Sequence, residues 1–405
     1  MSEASGASEP GRRHLSTRRL RTLPARRIQA RAPGKVILMG EHAAVYGEPA
    51  LVAAVGRTLT ATFEPATLKT GAETGSSGAA ASAEPSVELS IPALDLHRRR
   101  PWREVTDYAR AAAGAWERWS QDPSPESFRH VLGDDPGHVA WVALGTAALE
   151  VEELPASLQV RVESQLPIGS GFGSSAAAAV ALVAGALAAW DREVPLQRLE
   201  ELALDVERRQ HGRPSGVDTG TVLRGEVLWA QRREGKLQLE RLRRPATAQD
   251  PLRRIAVCDS GPPVEATGTV VAAVRRLRDQ DPEAFAQRLT KMSQQTHRLR
   301  EALTSEDTTS EDTPAATDLR PLFQLFQSEL ENLRVVPSAT QQKIRRVEAQ
   351  GGAAKISGAG CLRGPGAGSV LVYHPRSDPA ELARHAGLEP LDMALGAPGL
   401  QIIPT

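Results

Sequence analysis

The 405-residue sequence is poor in several features, and each shortage argues against a class of protein. It has two cysteines, Cys258 and Cys361, and neither lies near a second cysteine or a Cys/His cluster. This argues against a zinc module or a disulfide scaffold and suits a reducing compartment. The longest low-polarity run, residues 175–190, is shorter than the roughly 20 residues of a membrane span. We therefore expect a cytoplasmic protein that does not bind membranes.

The chain also lacks net charge and is short of lysine. Lys+Arg and Asp+Glu both number 49, so no overall basic field is available for nucleic acid, and we predict no nucleic-acid partner. Six basic residues are lysines and the other 43 are arginines. Because the two side chains differ chemically, each lysine in such a chain merits inspection. The six are Lys35, Lys69, Lys236, Lys291, Lys343 and Lys355.

Three segments have the composition of irregular chain. Residues 1–31 contain eight arginines and two glutamates, and no apolar segment follows as in a secretory signal. We predict a disordered basic tail there, with an organelle transit peptide or a polyanion-binding arm as alternatives. Residues 67–85 are rich in Gly, Ala and Ser, and residues 304–313 are a tandem TSEDT repeat. Both predict surface loops inserted into a folded body.

Apolar periodicity predicts interleaved strands and helices in the rest of the chain. Strands are predicted over residues 35–39, 87–91, 158–162, 225–230, 254–258 and 369–373. Helices are predicted over residues 176–190, 195–210, 283–302, 320–332 and 338–350, and residues 263–278 are predicted to begin as a loop and become a helix. This alternation indicates a two-domain α+β or α/β enzyme.

The strongest local signal is the glycine-rich segment PIGSGFGSSAA at residues 167–177. It stands between a predicted strand and an Ala-rich helix, where backbone N–H groups and the helix N-terminus can bind an anion. The pattern is neither GxGxxG nor GxxxxGK[ST], so it is not a standard dinucleotide or P-loop motif. The candidate phosphate-binding residues are Gly169, Ser170, Gly171, Phe172, Gly173, Ser174 and Ser175.

Three more glycine-containing segments bring further reactive side chains. They are APGKVILMGEH at 32–42, HGRPSGVDTG at 211–220 and KISGAGCLRGPGAG at 355–368. One such loop alone would be weak evidence. Together with a lysine, a Glu-His pair and a Ser-Gly-x-Asp turn, they favour a phosphate-binding enzyme over a chance set of turns.

These segments resemble the three motifs of the GHMP kinases. Residues 32–51 resemble motif 1, PIGSGFGSSAA resembles motif 2, and KISGAG resembles the opening of motif 3. The HGRPSGVD, VELSIPALDLHRRRPW and DSGPPVEATGTVVAAV stretches are similar to the mevalonate kinase branch in particular. The resemblance implies an α+β fold of two domains, residues 32–244 and 245–405. The first would be like ribosomal protein S5 domain 2 and the second ferredoxin-like.

The resemblance also implies roles for individual residues. Asp218 would orient or deprotonate the attacking hydroxyl, and Lys35 would keep that carboxylate ionised. Ser175 and Glu207 would hold Mg²⁺, while the motif 2 loop wraps the phosphates of ATP. Residues associated with the substrate would be Glu41, His42, Ser215, Thr267, Gly358 and Ala359.

The implied reaction is ATP- and Mg²⁺-dependent phosphorylation of the 5-hydroxyl of (R)-mevalonate, on the route to isoprenoids. The alternatives are another GHMP kinase acting on phosphomevalonate or a sugar, and a non-catalytic GHMP-fold metabolite sensor. A homodimer is left open. One departure bears on substrate choice, because Cys361, Leu362 and Arg363 follow KISGAG where the family has a tighter glycine run. Arg363 is either an added phosphate contact or an exposed arginine.

Overall fold

The computed structural model describes residues 26–66, 84–153, 155–167, 169–244, 250–304 and 318–405. The predicted basic tail lies outside the described residues up to residue 25. The same holds for most of the low-complexity segment 67–85 and for the TSEDT repeat after Thr304.

Eight of the described strands form one large sheet that carries the N-terminal motifs. The strands are β1 (Ile28–Met39), β2 (Ala50–Pro65), β3 (Ser86–Ile91), β4 (Leu96–Pro101), β5 (Leu158–Ser164), β6 (Val227–Arg233), β7 (Lys236–Arg241) and β12 (Gln401–Pro404). Their order is β12-β1-β2-β5-β3-β4, and β6 pairs with both β2 and β7. The pairing is antiparallel except between β3 and β5.

A smaller antiparallel sheet carries the C-terminal motifs. It contains β8 (Ile255–Asp259), β9 (Ala353–Ile356), β10 (Ser369–Tyr373) and β11 (Glu389–Leu391), in the order β11-β8-β10-β9. Every residue of the central strand β10 and of the neighbouring edge strand β9 is buried, so both strands are covered on both faces. The segment between these two strands holds the third glycine-rich motif.

The helices pack against both sheets. They are α1 (Trp102–Gln121), α2 (Pro125–Leu132), α3 (His138–Ala148), α4 (Ser174–Ala189), α5 (Leu196–His211), α6 (Val217–Arg224), α7 (Thr267–Gln280), α8 (Pro282–Thr304), α9 (Arg320–Asn332), α10 (Ser338–Ala349) and α11 (Pro379–Ala386). Within the described ranges, no helix is both long and apolar enough to cross a membrane. Mixed sheets and helices confirm the predicted α+β class.

Helix α4 positions the phosphate-loop candidate. Its Ala-rich sequence is apolar on all faces, and it is buried between β1, β2, α3 and α5. Small alanine side chains let neighbouring helices and the sheet approach closely. The first residue of α4 directly follows the glycine-rich segment, so the loop is anchored to the centre of the fold.

The first strand corrects the predicted extent of the basic tail. It begins at Ile28, inside the predicted tail 1–31, and its first residues pair with β2 and β12. Ile28 and Ala30 are buried in alternation, so residues 28–31 belong to the sheet. Strand β12 also returns the C-terminus to the large sheet. The proposed division of the chain near residue 245 stays a prediction.

Candidate active site

The glycine-rich loop has the backbone conformation of an anion-binding turn. Gly169, Gly171 and Gly173 have φ values of 77°, 82° and 72°, in the left-handed region that side chains with a Cβ rarely adopt. Helix α4 then begins at Ser174, with Gly173 as its N-cap residue. Free N–H groups at a helix N-terminus and positive-φ turns both attract phosphate oxygens.

Strand β1 supports this loop directly. The backbone N–H of Lys35 donates to the carbonyl oxygen of Phe172 over 2.9 Å. A Cβ on Gly173 would lie 3.0 Å from Cγ of the Lys35 side chain, so only glycine fits comfortably there. The lysine stem therefore runs along the loop, and the first two motifs form one structure.

Lys35 and Asp218 form an ion pair, Nζ to Oδ1, of 3.2 Å. The lysine is 5% exposed, whereas the Asp218 side chain is 39% exposed. Asp218 lies in the first turn of α6, where the helix dipole also stabilises a negative charge. The carboxylate thus faces a buried cation on one side and solvent on the other.

Ser175 and Glu207 come together next to this pair, as predicted. The Ser175 hydroxyl donates to Glu207 Oε1, and His211 Nε2 lies 3.0 Å from the same hydroxyl oxygen. Burial raises the pKa of Glu207 to about 7, and the nearby Asp218 charge adds to the rise while the Ser175 hydrogen bond and Lys35 oppose it. A cation bound beside Glu207 would stabilise the ionised form of this buried carboxylate.

The donor set fits a magnesium ion bound together with nucleotide phosphates. A hydroxyl and a carboxylate are oxygen ligands, and Mg²⁺ in nucleotide enzymes is usually held by one or two carboxylates plus phosphate oxygens. Among the described residues, no group of three or more His, Cys, Asp or Glu side chains is arranged to hold a metal by itself. Ser175 and Glu207 could therefore complete a site whose other ligands come from ATP and water.

Glu41 forms a second ion pair, buried at the junction of the two sheets. Lys355 Nζ lies 2.5 Å from Glu41 Oε1 and 2.7 Å from the carbonyl oxygen of Ile356. Both side chains are at most 1% exposed. Burial raises the pKa of Glu41 and lowers the pKa of Lys355, and their mutual attraction opposes both shifts. Glu41 Oε2 has no hydrogen-bond partner among the described residues.

His42 connects the first motif to the third. Its Nε2 is 2.9 Å from the carbonyl oxygen of Ala359, which can only accept, so this nitrogen carries the proton. Burial lowers the pKa of His42, which favours the neutral ring. The residue has φ of 59°, an unusual value for a side chain larger than glycine. Such strain is common at binding sites.

The remaining predicted substrate residues are less well connected. Ser215 is exposed and precedes Gly216, the N-cap residue of α6, and its Oγ accepts from the backbone N–H of Val217 over 3.2 Å. Thr267 is exposed at the first residue of α7, and no hydrogen bond from its side chain is made to the described part of the chain. A Cβ on Gly358 would meet open space. The structure leaves these roles as predictions.

Three residues with clear contacts in this region had no predicted role. His211 lies one helical turn after Glu207, a spacing that could have indicated it. Lys355 is one of the six lysines of the chain and lies inside the third motif, so the sequence could have indicated it. Glu265 accepts hydrogen bonds from the third motif's residues, and although it lies in the DSGPPVEATGTVVAAV stretch, that stretch does not indicate these partners. Arg363 is 83% exposed and pairs with Glu265, in keeping with an exposed arginine.

Comparison with known proteins now adds to this geometry. Residues 140–226 match the family model described as GHMP kinases N terminal domain. The chain is 30% identical to mevalonate kinase of Bos taurus over 92% of this chain and 93% of the relative.

Among solved structures, Methanococcus jannaschii mevalonate kinase has a TM-score of 0.64 at 16% identity, covering 91% of this chain and 98% of that one. A phosphomevalonate kinase from Streptococcus pneumoniae, in complex with phosphomevalonate and AMPPNP, has a TM-score of 0.60 at 15% identity. It covers 91% of this chain and 99% of that one. These likenesses confirm the GHMP kinase fold, and the near-equal scores do not separate the substrates. On its near full-length sequence relationship, the chain belongs to the mevalonate kinase family of GHMP kinases, which are ATP-using phosphotransferases.

Proposed function

We propose that this protein transfers the terminal phosphoryl group of ATP to the 5-hydroxyl of (R)-mevalonate, giving 5-phosphomevalonate. The observation that carries the proposal is the ion pair between Lys35 and Asp218 beside the glycine loop. Phosphoryl transfer requires positioning and charge neutralisation more than covalent chemistry. An open carboxylate next to a phosphate-binding loop meets the requirement for a partner to the attacking hydroxyl.

In this mechanism Asp218 accepts a hydrogen bond from the substrate hydroxyl and takes its proton as the oxygen attacks. Lys35 holds Asp218 in place through the ion pair and lowers the pKa of a hydroxyl bound close to its ammonium group. The Lys35 side chain is held in place, because its backbone N–H bonds to the glycine loop and its stem packs along that loop. The contact between β1 and that loop therefore fixes the position of the lysine ammonium group.

Phosphate binding falls to the loop from Gly169 to Ser175. Backbone N–H groups of the loop and the N-terminus of α4 would face the phosphate oxygens of ATP. Ser175 and Glu207 would hold Mg²⁺, which when bound offsets the negative charge of the phosphates. Proton release from Glu207 would accompany metal binding, since its pKa in the metal-free protein lies near neutrality.

Substrate recognition is assigned to the junction of motifs 1 and 3. Glu41 Oε2 is a buried acceptor without a partner among the described residues, so it can accept a hydrogen bond from a hydroxyl group of the substrate. His42 and Ala359 are bonded together at the same junction. Ser215, Thr267 and Gly358 complete the proposed set. Residues 32–244, which carry most of the large sheet, would form one domain and residues 245–405 the other, with β12 returning from the second range to pair with β1.

A substrate panel tests the proposal. Purified protein with MgATP is assayed for ADP release with mevalonate, 5-phosphomevalonate, homoserine and galactose. We expect turnover with mevalonate and far slower release with the other three. Faster turnover of phosphomevalonate or a sugar would replace the substrate assignment with that alternative. ATP binding without turnover of any acceptor would favour the metabolite sensor.

A further inference from the structure

The third glycine-rich motif is anchored by a single carboxylate from another part of the chain. We name residues 357–368 the third loop and residues 260–266 the strap. Within the third loop, three consecutive residues bond to Glu265 of the strap. Cys361 Sγ donates to Oε2 over 2.7 Å, Leu362 N donates to Oε2 over 3.1 Å, and Arg363 Nε donates to Oε1 over 3.1 Å.

The anchor is well formed and largely hidden from solvent. The Glu265 side chain is 7% exposed, and Cys361 is fully buried. The hydrogen bond from the Cys361 thiol lowers the pKa of Glu265 to about 2, and the hydrogen bonds from Arg363 and from the backbone N–H groups of the loop contribute to this shift. Val264 N also donates to Cys361 Sγ over 3.2 Å, so the cysteine binds two neighbouring residues of the strap.

A second set of bonds joins the strap and the third loop at their base. Ser260 Oγ donates to the carbonyl oxygen of Gly368 over 2.8 Å and accepts from Ala367 N over 2.9 Å. Ser260 is 6% exposed. The strap and the loop are therefore joined at both ends, by Ser260 at the base and by Glu265 at the tip.

The base of the third loop lies directly against the phosphate loop. A Cβ on Gly368 would be 3.0 Å from the carbonyl oxygen of Ser170, so the two backbones are in close contact. On the other side, Ser357 Oγ accepts from Ile37 N of β1 over 2.9 Å. A shift of the third loop would consequently move its contact surface with the loop that receives the phosphates of ATP.

We propose that Glu265 is a positioning residue for nucleotide binding: its carboxylate fixes the third loop of this chain against the phosphate loop. The residues it binds, Cys361 to Arg363, are those that differ from the glycine run expected of the family. A longer loop with side chains needs an anchor that a compact glycine run does not, and three donors converging on one carboxylate provide it.

Binding of a non-hydrolysable ATP analogue with Mg²⁺, measured by calorimetry, tests the proposal without any acceptor substrate. For Glu265→Ala we expect Kd for the analogue to rise about tenfold, within the usual range of coupling between sites. We also expect KM for ATP to rise more than kcat falls. Glu265→Gln retains the side-chain length and an acceptor oxygen, so it should fold and show a smaller rise.

Two controls complete the design. Glu283→Ala removes an exposed carboxylate at the start of α8 and should leave Kd unchanged. Arg363→Met removes the exposed partner, and because exposed ion pairs contribute little, we expect the smallest change of the loop variants. Thermal unfolding without ligand monitors the fold of every variant.

If both Glu265 variants bind the analogue as the wild type does, the proposal is wrong, and Glu265 only holds the strap and the third loop together. A lower melting temperature with unchanged Kd leads to the same conclusion. If Glu265→Ala does not fold, Glu265→Gln decides by itself. Because no mevalonate is present, a wrong acceptor assignment under the proposed function would leave these results unaffected.

Discussion

Two buried lysines, Lys35 and Lys355, form ion pairs with carboxylates, and the two pairs differ in exposure. In the first pair, Lys35 is buried but the Asp218 side chain is 39% exposed, and the two charges are 3.2 Å apart. In the second pair, Lys355 and Glu41 are both sealed from solvent and 2.5 Å apart. We call them the open pair and the sealed pair.

The difference separates chemistry from architecture. Solvent reaches the carboxylate of the open pair, which lies beside the glycine loop that we propose binds the phosphates of ATP. The sealed pair joins the end of β1 in the large sheet to β9 in the small sheet, so its charges hold the two sheets in their relative position. Burying two charges is costly, and such a pair is kept for the arrangement that it specifies.

The largest effect should come from breaking the open pair on its acid side. Asp218→Asn keeps the size of the side chain but removes the proton acceptor and the negative charge. We expect kcat to fall by about 10²–10⁴-fold, the usual contribution of a general base. Steady-state ADP release with saturating ATP and mevalonate measures it.

The matched control is Asp107→Asn, an exposed aspartate on α1 that pairs with Arg110. Its activity should equal that of the wild type. If Asp218→Asn retains more than about a tenth of the wild-type kcat, the loss in kcat is far smaller than removal of a general base predicts. Asp218 would then not be the base in this mechanism.

The next effect concerns stability and comes from breaking the sealed pair. Lys355→Met leaves Glu41 buried without its partner, and we expect the free energy of unfolding to fall by about 3–5 kcal/mol. The double variant Glu41→Gln/Lys355→Met removes both charges and should recover most of that loss. Urea unfolding of the wild type, both single variants and the double variant gives the coupling energy.

Lys343→Met provides the comparison for this cycle. Lys343 is a partly buried lysine whose ammonium donates to the carbonyl oxygen of Ser260, with no carboxylate involved. Its loss should cost about 1 kcal/mol, as for an ordinary hydrogen bond. Equal losses for Lys343→Met and Lys355→Met would mean that the sealed pair has no special role.

The smallest effect concerns His42, beside the sealed pair. Burial lowers its pKa in the folded protein, while the unfolded chain binds a proton near pH 6.5. The unfolded state therefore holds more protons below pH 6.5, and the wild type loses stability as pH falls through that value. His42→Asn suits the positive φ and should lose less stability between pH 7.5 and 5.5.

Chemical unfolding of both proteins across that pH range measures the difference between them. Other histidines with lowered pKa, such as His138 and His211, are present in both proteins and cancel in the comparison. Parallel stability curves for the two proteins would show that His42 does not titrate differently in the folded state.

Local signals predicted much of the fold. The Ala-rich run of α4, the apolar stripe of α5 and the pattern of α9 all lie where periodicity placed them. Strand β1 was predicted only from residue 35, because its first half owes its strand conformation to pairing with β2 and β12. Strand β12, four residues long, was not predicted since its partner lies at the other end of the chain.

The candidate site divides in the same way. The resemblance to the GHMP kinases brought Lys35, Ser175, Glu207 and Asp218 into one prediction, and the structure places them together. The partner of Glu41 lies 314 residues away, and a buried pair across two sheets leaves no local pattern. The same holds for Glu265, whose partners belong to the divergent third motif.

The account's central claim is that the open pair takes part in phosphoryl transfer, while the sealed pair maintains the structure of the junction at which substrate binding is proposed. Its most direct test compares Lys35→Met with Lys355→Met, measuring kcat with mevalonate and the free energy of unfolding in urea. We predict that Lys35→Met loses at least about 100-fold in kcat with little loss of stability, since Asp218 stays hydrated. Lys355→Met should lose stability while its folded fraction keeps kcat within about tenfold. If both lysines affect the same quantity to the same extent, the distinction between the pairs is wrong.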